Sequence, residues 1–151
     1  MWQLPPLVEA PRGFADTPHP PLAYLNSPLL QTLLARGCSQ LTTFGLHGVA
    51  KRCAALHTLD LAGTCLSNGQ VELCWGLPRS AYHPSAMREL NLSENPDLTR
   101  STIIPVLDLC PGLRALRLSG CSDGVDDQVL SVAAQRCTLL QELKIARCVR
   151  V

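Results

Sequence analysis

One apolar spacing recurs along the chain and restricts the folds available to it. The spacing apolar-x-x-apolar-x-apolar occurs five times, and the middle members lie 26, 31, 26 and 27 residues apart. A period-2 apolar pair suits a short strand with one buried face. A repeat of this length predicts stacked similar units, each covering its neighbour's apolar face. The five sets are Leu30/Leu33/Ala35, Leu56/Leu59/Leu61, Met87/Leu90/Leu92, Leu113/Leu116/Leu118 and Leu140/Leu143/Ile145.

Between these strand signals the apolar residues change to helical spacing. Sets at i, i+3, i+4 and i+7 form one apolar stripe on a helix. A short polar residue stands four positions before each stripe, and it predicts an N-cap at Thr42, Thr99 and Asp126. Pro105 lies inside the second stripe, so we expect that helix to begin near Thr102, where proline is tolerated in the first turn. The stripes are Leu46/Val49/Ala50/Cys53, Ile103/Val106/Leu107/Cys110 and Leu130/Ala133/Ala134/Cys137.

The remaining unit is degraded, with Leu66-Ser67 at the cap, then Val71, Cys74 and Trp75, and a long loop at 79–84. Each unit is therefore a strand, a turn and a helix. This pattern predicts an α/β solenoid whose parallel sheet lines a concave side while helices cover the convex side. Prolines are concentrated near the N-terminus, so we expect residues 1–26 to be a disordered leader. We expect residues 27–151 to form about five units, with an uncapped C-terminal end.

Seven of the eight cysteines fall into two positional sets. Cys53, Cys110 and Cys137 close helical stripes and should point into the core. The second set follows the strands, where a small side chain can bond backbone left unpaired at the turn. No C-x-x-C pair occurs, and a strand separates the two cysteines of each frame, so we expect free thiols and no metal, disulfide or cofactor. This second set is Cys38, Cys65, Cys121 and Cys148, with Asn95 in the same place in the third strand unit.

Two segments carry a family resemblance. LTTFGLHGVAKRCAALHTLDLAGTC and CPGLRALRLSGCSDGVDDQVLSVAAQRC resemble the cysteine-containing class of leucine-rich repeat, known from the substrate-binding arms of F-box proteins. The similarity covers residues 27–148. It implies a leucine-rich-repeat solenoid that recognises a protein target, with a link to a ubiquitin ligase complex. No F-box pattern is visible in the sequence itself.

Charge and composition exclude several classes of partner. There are 13 basic and 12 acidic residues, and aromatics make up 4% of the chain, so neither nucleic acid nor an anionic membrane is indicated. No apolar run is long enough to span a bilayer, and the N-terminus lacks the features of a secretory signal. No phosphate loop or catalytic arrangement is evident. We therefore expect a monomeric, non-enzymatic protein in the cytoplasm, with the nucleus as the second compartment.

Side chains that flank the buried leucines should face the concave surface, because side chains alternate along a strand. We expect a protein partner to bind there. For any single residue, a merely solvated sheet face is the more common explanation, and the prediction concerns the residues as a set. Two other functions remain open, a scaffold subunit of a cytoskeletal or ciliary assembly and a truncated isoform without an independent role. The candidate partner-binding residues are Arg36, Thr58, Asp60, Glu89, Asn91, Ser93, Arg117, Ser119, Glu142 and Lys144.

Overall fold

Strands and helices alternate along the chain in the computed structural model, which describes residues 7–9, 27–75 and 86–148. The predicted α/β class is confirmed, and the strands form one parallel sheet in chain order, β1 to β6. The strands are β1 (Leu7–Glu9), β2 (Thr32–Leu34), β3 (Thr58–Asp60), β4 (Glu89–Asn91), β5 (Ala115–Arg117) and β6 (Glu142–Lys144). The helices are α1 (Thr43–Arg52), α2 (Asn68–Trp75), α3 (Arg100–Leu109) and α4 (Asp127–Arg136).

The leucine at the centre of each strand from β2 to β6 aligns with the central leucine of the next strand. Adjacent strands therefore stay in one register without slipping, and the same repeat position always falls on the same face. The apolar sets of β2 to β5 are buried and belong to a single core. This register confirms that the recurring apolar spacing marks strands.

The sheet begins before the predicted domain boundary. Leu7–Glu9 forms β1 and pairs in parallel with β2, Val8 opposite Leu33. The sequence showed no apolar spacing there, and the expectation for residues 1–26 did not include a strand. The rest of the predicted leader and the loop at 79–84 lie outside the described residues.

The helix starts follow the predicted caps at two of three positions. Thr42 Oγ1 accepts a hydrogen bond from the Gly45 amide at 3.2 Å, and Asp126 Oδ1 accepts one from the Val129 amide at 3.0 Å. These bonds satisfy amides that the first helical turn leaves unpaired.

Thr99 is also an N-cap residue, but its side chain makes no capping bond within its own helix. Its hydroxyl instead donates to Oδ1 of Asn68, at the start of α2, at 3.3 Å. The same oxygen accepts from the Thr99 amide at 2.9 Å and from the Thr102 hydroxyl at 2.7 Å. One asparagine thus ties the start of one helix to the start of the next.

The expectation that this helix begins near Thr102 is wrong. It begins at Arg100, which leaves Pro105 in the helix interior. The Asn68 contacts hold the first turn in place ahead of the proline. Pro105 itself is exposed, so its ring projects into solvent, and its missing N–H removes one helical bond from the outer surface.

The last unit is less buried than the earlier ones. Within its apolar set, Leu143 is 38% exposed, and Leu140 and Ile145 are only half-buried. The predicted stripe of α4 is wrong at Ala134, which is exposed, while Val129 is fully buried in its place. The cause is position, because α4 packs against α3 and no helix follows it in the described part of the chain.

A row of buried or half-buried side chains behind the strands donates hydrogen bonds to carbonyl groups of successive units. Asn95 donates to the carbonyls of Leu61 and Leu92, both at 2.9 Å. Cys121 Sγ donates to the Leu92 carbonyl at 3.2 Å, and Cys148 Sγ to the carbonyl of Leu118 at 3.3 Å. These bonds confirm the predicted role of Asn95, Cys121 and Cys148.

The prediction was wrong for one cysteine in that row. Thr64 occupies the equivalent position in its unit, fully buried, and its hydroxyl donates to the Leu61 carbonyl at 2.7 Å. Cys65 is displaced by one residue and exposed, with a positive φ of 57°. The sequence places a threonine and a cysteine side by side, and residue type alone favoured the cysteine.

The cysteines that end the helices are core residues, as predicted. Cys53, Cys110 and Cys137 are C-cap residues and are buried. Burial raises the pKa of Cys110 to about 12, with a smaller effect from Cys137, so this thiol stays protonated and behaves as a small apolar group. The described cysteines carry free thiols, and the described residues contain no group of three side chains suited to a metal ion.

Candidate protein-binding face

The sheet has one face covered by the apolar core and one face free of it. We call the free side the open face and define it by the first and third residues of β2 to β6 and by the side chains two positions beyond each strand. The alternating burial of β2 and β3, with only the central leucine buried, marks this face directly. The predicted site residues all fall within this definition, because the register carries each one to an equivalent position.

Arg117 lies at the centre of a charged cluster that spans three strands. Its Nε donates to Oε1 of Glu142 at 2.6 Å, and its Nη1 lies 3.9 Å from Oε2 of Glu89. Lys144 Nζ lies 3.4 Å from the same Glu142 oxygen. Between the two glutamates the register places Ala115, whose methyl group leaves room for the guanidinium. The bond from Arg117 lowers the pKa of Glu142 below its usual range, and Lys144 adds to the shift.

A second pair lies at the other end of the open face. Arg36 Nη2 donates to Asp60 Oδ2 at 3.0 Å, with the arginine largely exposed. The other carboxylate oxygen, Oδ1, accepts from the Ala62 amide at 3.0 Å. Asp60 therefore serves two purposes, since it ends the strand and orients an exposed guanidinium.

Asn91 does not belong among the exposed candidates. It is only 3% exposed, and its Oδ1 accepts from the Ser93 amide at 3.1 Å. This is the same bond that Asp60 makes in the preceding unit, so the side chain serves the turn. The prediction followed strand alternation alone, and alternation does not reveal when neighbouring side chains cover a short residue.

The other predicted residues are partly accessible. Thr58, Ser93 and Ser119 are half-buried. Ser119 Oγ accepts from the Ala146 amide at 3.1 Å, and the Thr58 hydroxyl lies 3.2 Å from Nδ1 of His57. These small side chains form the floor of the face, and the charged residues rise above them.

Two charged residues at the rim of the face were not predicted. Glu94 and Arg147 form an ion pair although they lie two units apart. Both have positive φ, at 58° and 60°, whereas the equivalent residues Gly37, Gly63 and Gly120 are glycines with positive φ. A glycine at three of five equivalent positions was the available sequence signal, because it indicates a left-handed turn residue.

Gly120 lies beneath this pair. A Cβ atom built on it would stand 3.0 Å from Oε2 of Glu94. The absence of a side chain at this position therefore lets the carboxylate cross the intervening strand to reach the arginine.

The finished face is polar and electrically balanced. Its ion pairs use four acidic and four basic side chains. Charges that already neutralise one another exert only a weak attraction on a distant charged molecule. The charged residues are Asp60, Glu89, Glu94 and Glu142 with Arg36, Arg117, Lys144 and Arg147.

Comparison with known proteins adds a likeness to solved structures. No protein-family model matches the chain, and no curated protein matches it. Among solved structures, the chain is similar to the tropomodulin C-terminal domain from Caenorhabditis elegans, with 12% sequence identity and a TM-score of 0.40. The match covers 84% of this chain and 60% of that one, so the chain spans less than two thirds of that structure.

No described helix is both long and apolar enough to traverse a bilayer. The case for function therefore rests on the geometry of the open face.

Proposed function

We propose that this protein is a leucine-rich-repeat solenoid that binds a protein partner on its open face and catalyses no reaction itself. The observation that carries the proposal is the register of β2 to β6, which holds polar side chains in fixed rows on one side of a buried leucine spine. Rows on a rigid sheet lose little side-chain freedom when a partner docks, and this preorganisation favours binding.

The partner surface best suited to these rows is polar and carries charges of both signs. Ion pairs at the surface of a protein contribute about 0–1 kcal/mol each, so a partner can exchange them for its own without a large loss. Hydrogen-bonding groups between the charges, such as Ser93 and Ser119, supply further contacts. This mixture of side chains on the open face therefore suits an extended or loop segment of a protein better than an apolar helix.

A matched pair of variants tests the face. Arg36 and Arg136 are both exposed, and each forms one ion pair. Arg36 pairs with Asp60 at 3.0 Å on the open face, and Arg136 pairs with Asp108 at 2.9 Å on the helical side. We expect Arg36→Glu to lose partners captured by proximity labelling in cells, and Arg136→Glu to retain them. Glu89→Lys, at the centre of the face, should behave like Arg36→Glu.

Equal retention by all three variants would remove the open face as the binding site. A thermal melt followed by circular dichroism accompanies each variant, because a cooperative transition at the wild-type temperature separates lost binding from lost folding. The same melt of the wild-type chain tests the alternative that the chain has no independent role. That alternative predicts a melt without a cooperative transition.

The captured proteins decide what the binding is for. Target recognition for a ubiquitin ligase, the role that the resemblance to F-box proteins implies, requires ligase components among the partners and turnover of a captured target. A scaffold role in a cytoskeletal or ciliary assembly requires stoichiometric co-purification with assembly subunits and no such turnover.

A further inference from the structure

The outer edge of β6 has backbone groups that every earlier strand uses for pairing. The residue after each of β2 to β5 donates its N–H to the following strand, from Ala35 to Asp60 and, at the other end, from Leu118 to Lys144. Ile145 is the equivalent residue of β6, and no strand lies beyond β6 in the described residues. Its N–H therefore points towards an edge that no described strand covers.

Leu143 exposes a donor and an acceptor at the same edge. The Glu142 amide donates to Arg114 and the Lys144 carbonyl accepts from Leu118, so these two residues direct their backbone groups towards β5 and its flanking residues. Backbone groups alternate in direction along a strand. The N–H and C=O of Leu143, between them, consequently point away from β5.

Apolar surface accompanies this free edge. Leu143 is 38% exposed and Leu139 53% exposed, whereas the central leucines of β2 to β5 are at most 5% exposed. No helix follows β6 in the part of the chain that the structure describes, so no described helix packs beside the turn that leads from α4. A strand that pairs with this edge would lie beside Leu143, the central residue of β6.

The charges flanking Leu143 are self-complementary. In an antiparallel pair of two identical strands centred on Leu143, Glu142 of the first copy lies opposite Lys144 of the second copy. By the same symmetry, Lys144 of the first copy lies opposite Glu142 of the second copy. A parallel alignment in the same register would place Glu142 beside Glu142. Opposite charges facing each other across strands stabilise a pair, and like charges destabilise it.

We propose that two copies of this chain associate through their β6 edges, as an antiparallel two-fold pair centred on Leu143. The two Leu143 residues exchange both backbone hydrogen bonds, and the closed symmetry stops growth at two copies. This interface uses the outer backbone edge of β6, although Glu142 and Lys144 on that strand also belong to the open face, and it departs from the expectation of a monomer. Sedimentation of the chain alone tests it in the absence of the proposed partner.

Charge reversal separates this arrangement from its alternatives. Glu142→Lys gives a basic edge and Lys144→Glu gives an acidic one, so each variant alone repels its own copy. An equimolar mixture restores attraction at both positions. Sedimentation equilibrium on the wild-type chain should show a rise from the monomer mass of 16.3 kDa towards twice that value with concentration. Each variant alone should remain at the monomer mass, and the mixture should regain the dimer.

Recovery in the mixture also shows that both variants are folded. Arg136→Glu, on the surface of α4, serves as the control and should dimerise like the wild type. Three results overturn the proposal. The first is a wild-type chain that stays monomeric, in which case the two charges only prevent pairing at the edge. The second is growth beyond two copies, which indicates head-to-tail stacking. The third is an equimolar mixture of the two variants that does not form the dimer.

Discussion

Replacing Asn95 by alanine should destabilise the fold more than any other single polar change in the row behind the strands. Asn95 is fully buried. Its Oδ1 accepts from the Leu66 amide at 2.9 Å, and its Nδ2 donates to the Leu61 and Leu92 carbonyls. Both carbonyls keep another donor after the substitution, Thr64 for Leu61 and Cys121 for Leu92. Only the Leu66 amide loses its side-chain partner outright.

The magnitude follows from this difference. A buried polar group left without a partner costs about 1–3 kcal/mol, and each shared bond that is lost costs about 0.5–1.5 kcal/mol. The free energy of unfolding should therefore fall by about 3 kcal/mol for Asn95→Ala. The matched change Thr64→Val, also at a buried position, leaves the Leu61 carbonyl bonded to Asn95 and should cost only about 1 kcal/mol.

Urea unfolding followed by circular dichroism measures both changes. With a slope of about 1–3 kcal/mol per molar urea, the midpoint for Asn95→Ala should drop by about 1–3 M. The reasoning fails if Asn95→Ala costs no more than Thr64→Val, because the orphaned amide would then carry no penalty.

Three further predictions concern a glycine, a thiol and a cap. A Cβ on Gly124 would stand 2.5 Å from a backbone carbonyl oxygen, so Gly124→Ala should lower the urea midpoint. Gly69 lies in α2 with open space around it, so Gly69→Ala should raise the midpoint slightly. Equal effects of the two substitutions would contradict this reasoning. Burial raises the pKa of Cys110 to about 12 from 9.0, so this thiol ionises at a lower pH in the unfolded chain than in the folded one. The free energy of unfolding should therefore fall as the pH rises from about 9 towards 12. Cys110→Ala should reduce that fall in reducing buffer, and an unchanged dependence of stability on pH would contradict the prediction. The hydrogen bond from the Val129 amide lowers the pKa of the Asp126 carboxyl from 3.8, so the carboxylate stabilises the fold fully above pH 3.8 and less as the pH falls further. Asp126→Asn should make the free energy of unfolding depend less on pH below 3.8, and a variant with the wild-type pH dependence would count against the cap.

The repeat could be predicted from the sequence because each strand position is a separate apolar requirement. Leu33 and its equivalents recur at nearly constant spacing, and register then places every neighbouring side chain. The caps at Thr42 and Asp126 were predictable for a similar reason, since the bond joins residues three apart. Local spacing carries this information without knowledge of the contacts between units.

Contacts between units could not be predicted in the same way. Asn68 holds the start of α3 from a position 31 residues before Thr99, and this contact overrides the local rule that would start the helix later. Asn91 is buried by neighbours on adjacent strands, which no pattern within its own strand reveals. Ala134 is exposed because it lies at the end of the helical layer, where the same residue type would be buried in an earlier unit.

The ion pair between Glu94 and Arg147 changes how disturbances at the C-terminal end travel inward. In a stack of repeats, each unit normally feels only the units on either side of it. This pair joins the third strand unit to the fifth by passing over Gly120, so detachment of β6 also alters a unit with which it shares no backbone bond. Both side chains are substantially exposed, which limits the effect to about 1 kcal/mol or less, yet its range is twice that of every sheet contact around it.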